Sequence, residues 1–156
     1  MHEGYQLNLG CGKDIKPGFA NIDIHDLDGV DIVADVRNLY MFDDASCFYI
    51  LASDIIEHFT YAETGDLLRE WSRVLQVDGV LEIRTPNMKW VAEHYLEHSD
   101  CEFISYHLFG CQENKENFHY IIFDREWLSS FCLQFGLEEI DFKEEGSNFR
   151  VRYEKK

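Results

Sequence analysis

Short apolar runs alternate along this chain with segments in which apolar residues recur every three or four positions. This alternation is typical of an α/β domain. The apolar runs predict five successive strands, at residues 5–9, 20–24, 31–35, 47–53 and 79–84. The run at 47–53 (CFYILAS) is almost unbroken, as expected of a central strand that is buried on both faces.

Capping signals and helical spacing predict three helices. Thr60 and Glu63 form a capping box, in which hydroxyl and carboxylate satisfy free N–H groups at a helix start. Apolar residues at 67, 68, 71, 74 and 75 follow it on one helical face. A second helix is predicted after Asn87, and a third from Asp124 to the terminator Gly136. The stretch 97–120 follows neither period, and we expect a long loop or insertion there.

The end of the chain departs from the alternation. Residues 137–144 and 149–154 are strand-like, and only the turn 145–148 (EGSN) separates them. A link this short makes the two strands antiparallel, because a parallel pair needs a crossover of about a dozen residues or more. We therefore expect residues 1–156 to form a single α/β domain, with a mostly parallel sheet that ends in an antiparallel hairpin.

Composition and charge exclude several classes of partner. The chain of 156 residues has 14 Lys and Arg against 30 Asp and Glu, a net charge of −16, and no basic run. Binding to nucleic acid or to an anionic membrane is not expected, since both depend on cationic side chains. No apolar stretch approaches the roughly 20 residues of a membrane span. The five cysteines lack a CxxC spacing and no signal peptide is evident, which indicates a cytoplasmic protein with reduced thiols.

The first predicted strand ends in a glycine turn, LNLGCG. Gly10 and Gly12 allow the backbone to approach a ligand without an intervening Cβ. In an open α/β sheet, ligands bind beyond the carboxyl ends of the strands, where this turn lies. A dinucleotide fingerprint requires a third glycine, and Ile15 stands in its place. The turn therefore predicts a ligand site without a phosphate cradle, and its alternative interpretation is a tight strand exit.

Two carboxylates follow at the ends of the next two strands. Asp23 is placed to accept both hydroxyls of a ribose, and Asp35 to reach an adenine amino group. Aspartates at strand ends also cap turns. Three such features at successive strand ends favour a ligand site over separate turn caps.

Several motifs together resemble those of class I S-adenosylmethionine-dependent methyltransferases. They are LNLGCG, NIDI, DIVADV, ASDIIEHF and LREWSRVLQVDGVLEIRTPN, in the order of that family and within residues 5–87. The terminal helix and hairpin are similar to the end of the family's seven-stranded sheet. The resemblance implies a Rossmann-like methyltransferase fold, with S-adenosylmethionine as cofactor.

The resemblance also implies roles for individual residues around that cofactor. The methionine part would lie against Gly10, Cys11 and Gly12, the ribose on Asp23, the adenine against Ile24 with Asp35 and Val36 at its edge, and the sulfonium near Ser53 and Asp54. Asn8 stands where the family often has an acidic residue, so its contact with the cofactor's ammonium group would be weaker or mediated by water. Residues 13–19 replace the usual long helix of the first crossover, leaving one sheet face thinly covered and suited to a dimer interface.

Polar residues elsewhere predict the acceptor site. His58 lies near the cofactor edge in ASDIIEHF, and the segment HLFGCQENKENFHY sets polar residues among aromatic ones outside the predicted elements. We expect His107, Gln112 and Asn117 to bind the acceptor, with His58 or His119 as the base. The alternative is a surface loop with incidental polar residues.

One further histidine pair has the spacing of metal ligands. His94 and His98 lie at i and i+4 on the second predicted helix, but the sequence supplies no well-placed third ligand. We interpret the pair as part of an amphipathic helix face and expect no metal site.

The predicted function is transfer of a methyl group from S-adenosylmethionine to a small-molecule or saccharide-like acceptor. One alternative is a non-catalytic module that binds S-adenosylmethionine or a protein partner. A second is a nucleotide-dependent oxidoreductase, although the third glycine and the phosphate-facing helix start that it requires are missing.

Overall fold

The computed structural model describes residues 4–156, and the strands in this range form one seven-stranded sheet. The strands are Tyr5–Leu9 (β1), Ala20–Asp23 (β2), Ile32–Val33 (β3), Cys47–Ser53 (β4), Leu75–Pro86 (β5), Leu137–Glu145 (β6) and Asn148–Lys155 (β7). Their order across the sheet is β3-β2-β1-β4-β5-β7-β6. Strands β1 to β5 pair in parallel, and β7 is antiparallel to both β5 and β6. The mostly parallel sheet with a terminal hairpin is confirmed.

Five strands differ from their predicted bounds. β2 ends at Asp23, β3 has only two residues, β6 extends to Glu145, and β7 runs from Asn148 to Lys155. Just before β3, the Asp31 carboxylate accepts hydrogen bonds from the backbone and side-chain nitrogens of Asn21. β5 is longer than expected at both ends. It begins at Leu75, opposite Cys47, and includes Pro86 as its last residue. A proline is tolerated at the end of a strand, where the missing N–H costs little.

The described helices are Tyr61–Val74 (α1), Met88–His98 (α2), Cys101–Phe109 (α3) and Arg125–Leu133 (α4). The capping box of Thr60 and Glu63 is present, and Asn87 and Asp124 are N-caps, as predicted. The expectation of a long loop over 97–120 is wrong, because this stretch contains α3 and a 3-10 turn at Lys115–Asn117. Only Ile104 of α3 is buried, so the helix carries no apolar stripe that a periodicity search could detect.

One hydrophobic core lies between the sheet and the helices α1 and α4. It combines Leu67, Leu68 and Trp71 of α1 with Leu128 and Phe131 of α4. The strand residues that face these helices are alternate positions, Leu7, Leu9, Ile50, Ala52, Leu81, Ile83, Val151 and Tyr153. Trp71 is fully buried and donates its ring N–H to the Val36 carbonyl, which ties α1 to the loop after β3.

The opposite sheet face carries polar side chains that pair across the strands. Glu82 of β5 accepts hydrogen bonds from Tyr49 of β4 at 2.6 Å and from Arg152 of β7 at 2.5 Å. Arg150 reaches the same carboxylate at 3.1 Å, and Arg84 pairs with Glu145. Burial raises the pKa of Glu82, but these bonds outweigh it and hold the pKa below its usual value. We call this set the charged ladder.

Both crossovers in the first half of the sheet are short. Residues 10–19 join β1 to β2 and residues 24–31 join β2 to β3, and neither of these described segments contains a helix. The first crossover is fastened by Asn21, whose Oδ1 accepts from Asn8 Nδ2 at 2.9 Å and from the Lys16 N–H at 2.8 Å. Phe19 packs edge-on against Tyr49. The prediction that the first crossover helix is abbreviated is confirmed. Asn8 stabilises this crossover through its hydrogen bond to Asn21.

Among the described residues 4–156, none of the helices has the length and apolar character that a bilayer span requires.

Candidate functional site

The glycine turn after β1 is shaped by left-handed backbone at both glycines. Gly10 has φ +63° and Gly12 φ +51°, a region that residues with a Cβ rarely adopt. A Cβ on Gly10 would lie 2.6 Å from Ile55 Cδ1, so this position also needs the missing side chain for space. The Gly12 N–H donates to Asp23 Oδ2 at 2.8 Å, which joins the turn to the end of β2.

A cavity of 440 Å³ opens beyond the carboxyl ends of β1, β2, β3 and β4, and we call it the edge pocket. Six of the predicted site residues line it, namely Gly10, Asp23, Ile24, Asp35, Val36 and His58. The remaining lining residues are Ala34, Arg37, Ile55, Phe59, Thr60, Glu63, Lys115, Glu116 and Tyr120. It lies where the strand order reverses between β1 and β4, the usual ligand position in an open α/β sheet.

The two acids at the edge pocket differ in their free hydrogen-bonding capacity. Asp23 is 7% exposed and accepts one backbone N–H on each oxygen, from Gly12 and from His25. A carboxylate has about four lone-pair sites, so Asp23 can still accept two ligand hydroxyls. Asp35 is instead held by Arg37, whose Nε and Nη2 both donate to it. These bonds keep the pKa of Asp35 below its usual value and leave little capacity for an adenine amino group.

The other residues predicted around the cofactor lie outside the edge pocket. Cys11 is buried, and burial, then the charge of Asp23, raises its pKa to about 11, so its thiol stays protonated. Asn8 is turned into the first crossover. Ser53 Oγ donates to Asp54, which also pairs with Arg84 and Asn148 beside the charged ladder.

A second cavity of 310 Å³ adjoins the first, and we call it the histidine pocket. Four predicted acceptor-site residues line it, His58, His107, Asn117 and His119. Asp54, Glu57, Pro86, Tyr106, Cys111 and Asn148 complete its wall. Gln112 is exposed, bonds the Phe109 carbonyl and is not among the lining residues of either pocket. His58 lines both cavities and so forms part of the wall between them.

The polar groups of the histidine pocket are fixed by backbone contacts. The Tyr120 N–H donates to the Glu57 carbonyl at 2.9 Å, which holds the segment after α3 against the end of β4. Burial lowers the pKa of His58, so the ring is neutral near pH 7. Glu57 is 1% exposed, and burial, then the charge of Asp54, raises its pKa to about 8.

A family profile described as a methyltransferase domain matches residues 7–83. The fold is similar to that of PH0226 protein from Pyrococcus horikoshii OT3, with a TM-score of 0.69, 18% identity, and 99% of this chain and 83% of that chain covered. It is also similar to a SAM-dependent methyltransferase from Archaeoglobus fulgidus, with a TM-score of 0.70, 13% identity, and coverage of 98% and 86%. The profile match over residues 7–83 and the shared fold support a class I S-adenosylmethionine-dependent methyltransferase.

A further structural neighbour of this chain contains bound ligands. It is the 1,6-didemethyltoxoflavin-N1-methyltransferase of Burkholderia thailandensis, solved with 1,6-didemethyltoxoflavin and S-adenosylhomocysteine. The TM-score is 0.68 at 13% identity, and the alignment covers 99% of this chain and 72% of that chain. No curated protein matches the sequence of this chain.

Sequence reasoning missed several lining residues of the two pockets, among them Glu57, Arg37 and Tyr120. The sequence shows Glu57 as a charged residue between an apolar run and His58 in ASDIIEHF. It does not show that this side chain is almost fully buried. Arg37 and Tyr120 gave no signal, because their positions at the edge pocket depend on how the loop after β3 and the segment after α3 fold back.

Proposed function

We propose that this methyltransferase binds S-adenosylmethionine in the edge pocket and transfers its methyl group to a small molecule in the histidine pocket. The observation that carries the proposal is the shared wall at His58, which brings a cofactor-sized cavity and a smaller polar cavity into contact. We propose that residues 1–156 do this as a single domain.

The edge pocket offers the groups that an adenosine moiety needs. Asp23 has two unused acceptor sites for the ribose hydroxyls, and Ile24, which is 51% exposed, offers an apolar surface to the adenine ring. We propose that Val36 borders that ring, and that the backbone of Gly10, which lines the pocket, lies beside the methionine part. The volume of 440 Å³ falls within the range of about 300–1,000 Å³ that is usual for ligand pockets.

S-adenosylmethionine supplies an electrophilic methyl carbon: an acceptor lone pair forms the new bond to it as the carbon–sulfur bond breaks, leaving S-adenosylhomocysteine. The chain's contribution is orientation, because holding two reactants in line can lower a barrier by about 7–11 kcal/mol. A hydroxyl or a protonated amine must also lose a proton. We propose that His58 or His119 is the base that accepts this proton, because both rings line the histidine pocket.

The proposed acceptor is small, since the histidine pocket encloses 310 Å³. Its polar wall suits a hydroxylated compound, and a saccharide-like acceptor stays within this proposal. The Burkholderia neighbour, which binds the compound in its name, supports a small molecule as the class of acceptor.

Calorimetric titration of S-adenosylmethionine and S-adenosylhomocysteine tests the cofactor site. We expect the wild type to bind both, and Asp23→Asn to bind at least about tenfold more weakly, because hydrogen bonds to a charged acceptor contribute about 1.5–3 kcal/mol. The amide oxygen of the variant can still accept from Gly12, but its NH2 group cannot accept from His25, so a thermal melt of the variant checks that it stays folded. Asp26→Asn, on the exposed loop after β2, is the matched control and should bind like the wild type.

Two outcomes would contradict the proposal in different ways. If neither ligand binds the wild type, the edge pocket is not a cofactor site and the proposal fails. If both bind but no small hydroxyl or amine compound is methylated in a broad acceptor screen, the chain is a non-catalytic S-adenosylmethionine-binding module.

A further inference from the structure

Three potential ligand groups converge at the floor of the histidine pocket. Glu57, His58 and His119 each offer one nitrogen or oxygen atom, and these atoms lie within 4.8 Å of one another. The two imidazole rings meet edge to face with their centroids 4.9 Å apart. Glu57 and His58 are neighbours in the 3-10 turn Ile56–His58 that follows β4. His119 is distant in the chain, and the fold brings it to them in the segment after α3.

The backbone fixes the tautomer of both rings in the same way. His58 Nδ1 lies 3.0 Å from the Phe118 carbonyl oxygen, and His119 Nδ1 lies 2.9 Å from the His107 carbonyl oxygen. A carbonyl oxygen can only accept, so Nδ1 donates in each neutral ring and Nε2 retains its lone pair. Metal-ligating histidines characteristically donate their other ring N–H to a carbonyl or carboxylate, which orients the ring.

The carboxylate is equally well oriented. Glu57 is almost fully buried, and its Oε2 accepts a hydrogen bond from Thr85 Oγ1 at 3.1 Å. The backbone N–H of Glu57 also hydrogen-bonds to this carboxyl group. A carboxylate has about four lone-pair sites, so it can still bind one further group. Ligating carboxylates are commonly hydrogen-bonded in turn by outer-shell groups such as this hydroxyl. A metal ion would displace the proton that Glu57 holds near pH 7.

The spacing is close to that of a metal centre. Tetrahedral Zn²⁺ sites have metal–ligand bonds of about 2.0–2.2 Å, which places ligand atoms roughly 3.3–3.6 Å apart. Small side-chain rotations therefore close the present separation around an ion. Two imidazoles and one carboxylate suit Zn²⁺, Fe²⁺ and their neighbours rather than Mg²⁺ or Ca²⁺, which prefer oxygen ligands.

We propose that Glu57, His58 and His119 bind one divalent transition-metal ion, with an open coordination position facing the histidine pocket. Three protein ligands and an open position are the arrangement of catalytic rather than structural metal sites.

The role of this ion follows from the proposed function and rests on it. An acceptor hydroxyl in the open position would be held beside the cofactor edge, and it would lose its proton to water more readily because the metal would stabilise the resulting oxyanion. His58 and His119 would then be ligands instead of bases, because the same Nε2 lone pairs cannot do both.

Metal binding is tested directly on the whole chain after chelator treatment. Zn²⁺ and Co²⁺ are titrated by calorimetry and by Co²⁺ absorption, with metal analysis after dialysis. We expect one ion per chain and Co²⁺ bands of a four- or five-coordinate site. His119→Ala and Glu57→Gln should each weaken binding by at least about 100-fold, since even outer-shell changes cost 10–100-fold.

His94→Ala is the matched control, because His94 and His98 form the other histidine pair with ligand spacing. It should bind metal like the wild type. Binding that is lost in His94→Ala and kept in His119→Ala would place the ion on α2 and overturn the proposal, as would the absence of stoichiometric binding in the wild type.

Two further measurements separate the loss of a metal ligand from unfolding and from the loss of cofactor binding. His119→Gln, with circular dichroism and a thermal melt, separates ligand loss from unfolding: a folded variant that binds Zn²⁺ normally overturns the proposal. S-adenosylhomocysteine titration of the same samples separates the two proposals, since retained cofactor binding without metal binding defeats only the metal site.

Discussion

At the scale of single residues, Gly110 decides how the two halves of the histidine pocket meet. It ends α3 with φ +76° and ψ 179°, a region that is essentially restricted to glycine. A Cβ there would lie 2.0 Å from the Asn117 carbonyl oxygen and 3.1 Å from His119 Cδ2. The close approach of these backbones therefore positions His119.

We expect Gly110→Ala to destabilise the fold by about 3 kcal/mol or more, because backbone strain and a collision with backbone act together. Gly146→Ala is the matched control, since Gly146 also has positive φ, +66°, but has open space around it. The control should lose only about 1–2 kcal/mol. Denaturant unfolding measures both, and equal losses would show that the contact with Asn117 does not constrain the loop.

The residues whose positions could be predicted are those whose local geometry already determines where they lie. Gly10 and Asp23 follow strands whose ends are readable from the apolar pattern, so both were placed at the edge pocket correctly. Ser53 also follows that logic, but alternation along β4 turns it toward the charged ladder. The loss of free hydrogen-bonding capacity at Asp35 was not predictable, because only the fold of the loop shows that Arg37 donates to this carboxylate.

At the scale of elements, a pair on α1 secures the connection between β3 and β4, where the described residues 34–46 contain no helix. Glu70 Oε1 accepts the Leu39 N–H at 2.7 Å, and Arg73 donates to Glu70 and to the carbonyls of Leu39 and Phe42. The bond from Arg73, which outweighs burial, holds the pKa of Glu70 below its usual value of 4.5.

The hydrogen-bonded Glu70 carboxylate contributes to the free energy of unfolding in a way that depends on pH. Because the folded pKa of Glu70 is lowered, the contribution is complete above pH 4.5 and is lost as the pH falls through the lowered pKa. We expect Glu70→Gln to cost about 1 kcal/mol at neutral pH, and the difference from wild type to shrink in acid. Glu93→Gln, at an exposed position of α2, should match the wild type throughout. A pH-independent difference in the unfolding free energy would contradict this account.

Elements with strong local signals were predicted well. The capping box at Thr60 and the caps at Asn87 and Asp124 fix three helix starts through contacts within one turn. Helix α3 was missed because it packs mainly through aromatic contacts with α2, such as Phe103 against Trp90. A helix that is stabilised by one neighbour and buries one residue has no pattern that can be read from sequence.

At the scale of the whole molecule, the charged ladder changes what is expected of the uncovered sheet face. Buried interface cores are depleted in charge, and removing the partly exposed Arg150 and Arg152 from water would carry a desolvation cost. The sheet face that is thinly covered by the short first crossover suggested a dimer interface from sequence. Its charged side chains instead suit contact with water.

We therefore expect the chain to keep its monomer mass of 18.4 kDa across a dilution series, measured by light scattering. If a dimer forms instead, Arg152→Glu identifies the surface, because it reverses a charge in the ladder. Dissociation of the dimer by this variant, but not by Lys89→Glu on α2, would show that the ladder face is the interface and that the argument from charge is wrong.

The short crossovers also bear on how quickly the sheet can assemble. Parallel strands usually pair slowly, because a long connection must close before any contact is gained. Here residues 10–19 and 24–31 connect β1, β2 and β3, and each halving of a loop lowers the closure cost by about 0.6 kcal/mol. We expect this edge of the sheet to form among the earliest structures in refolding, ahead of the pairing of β5 with β7, whose partners are separated by four further elements of the chain.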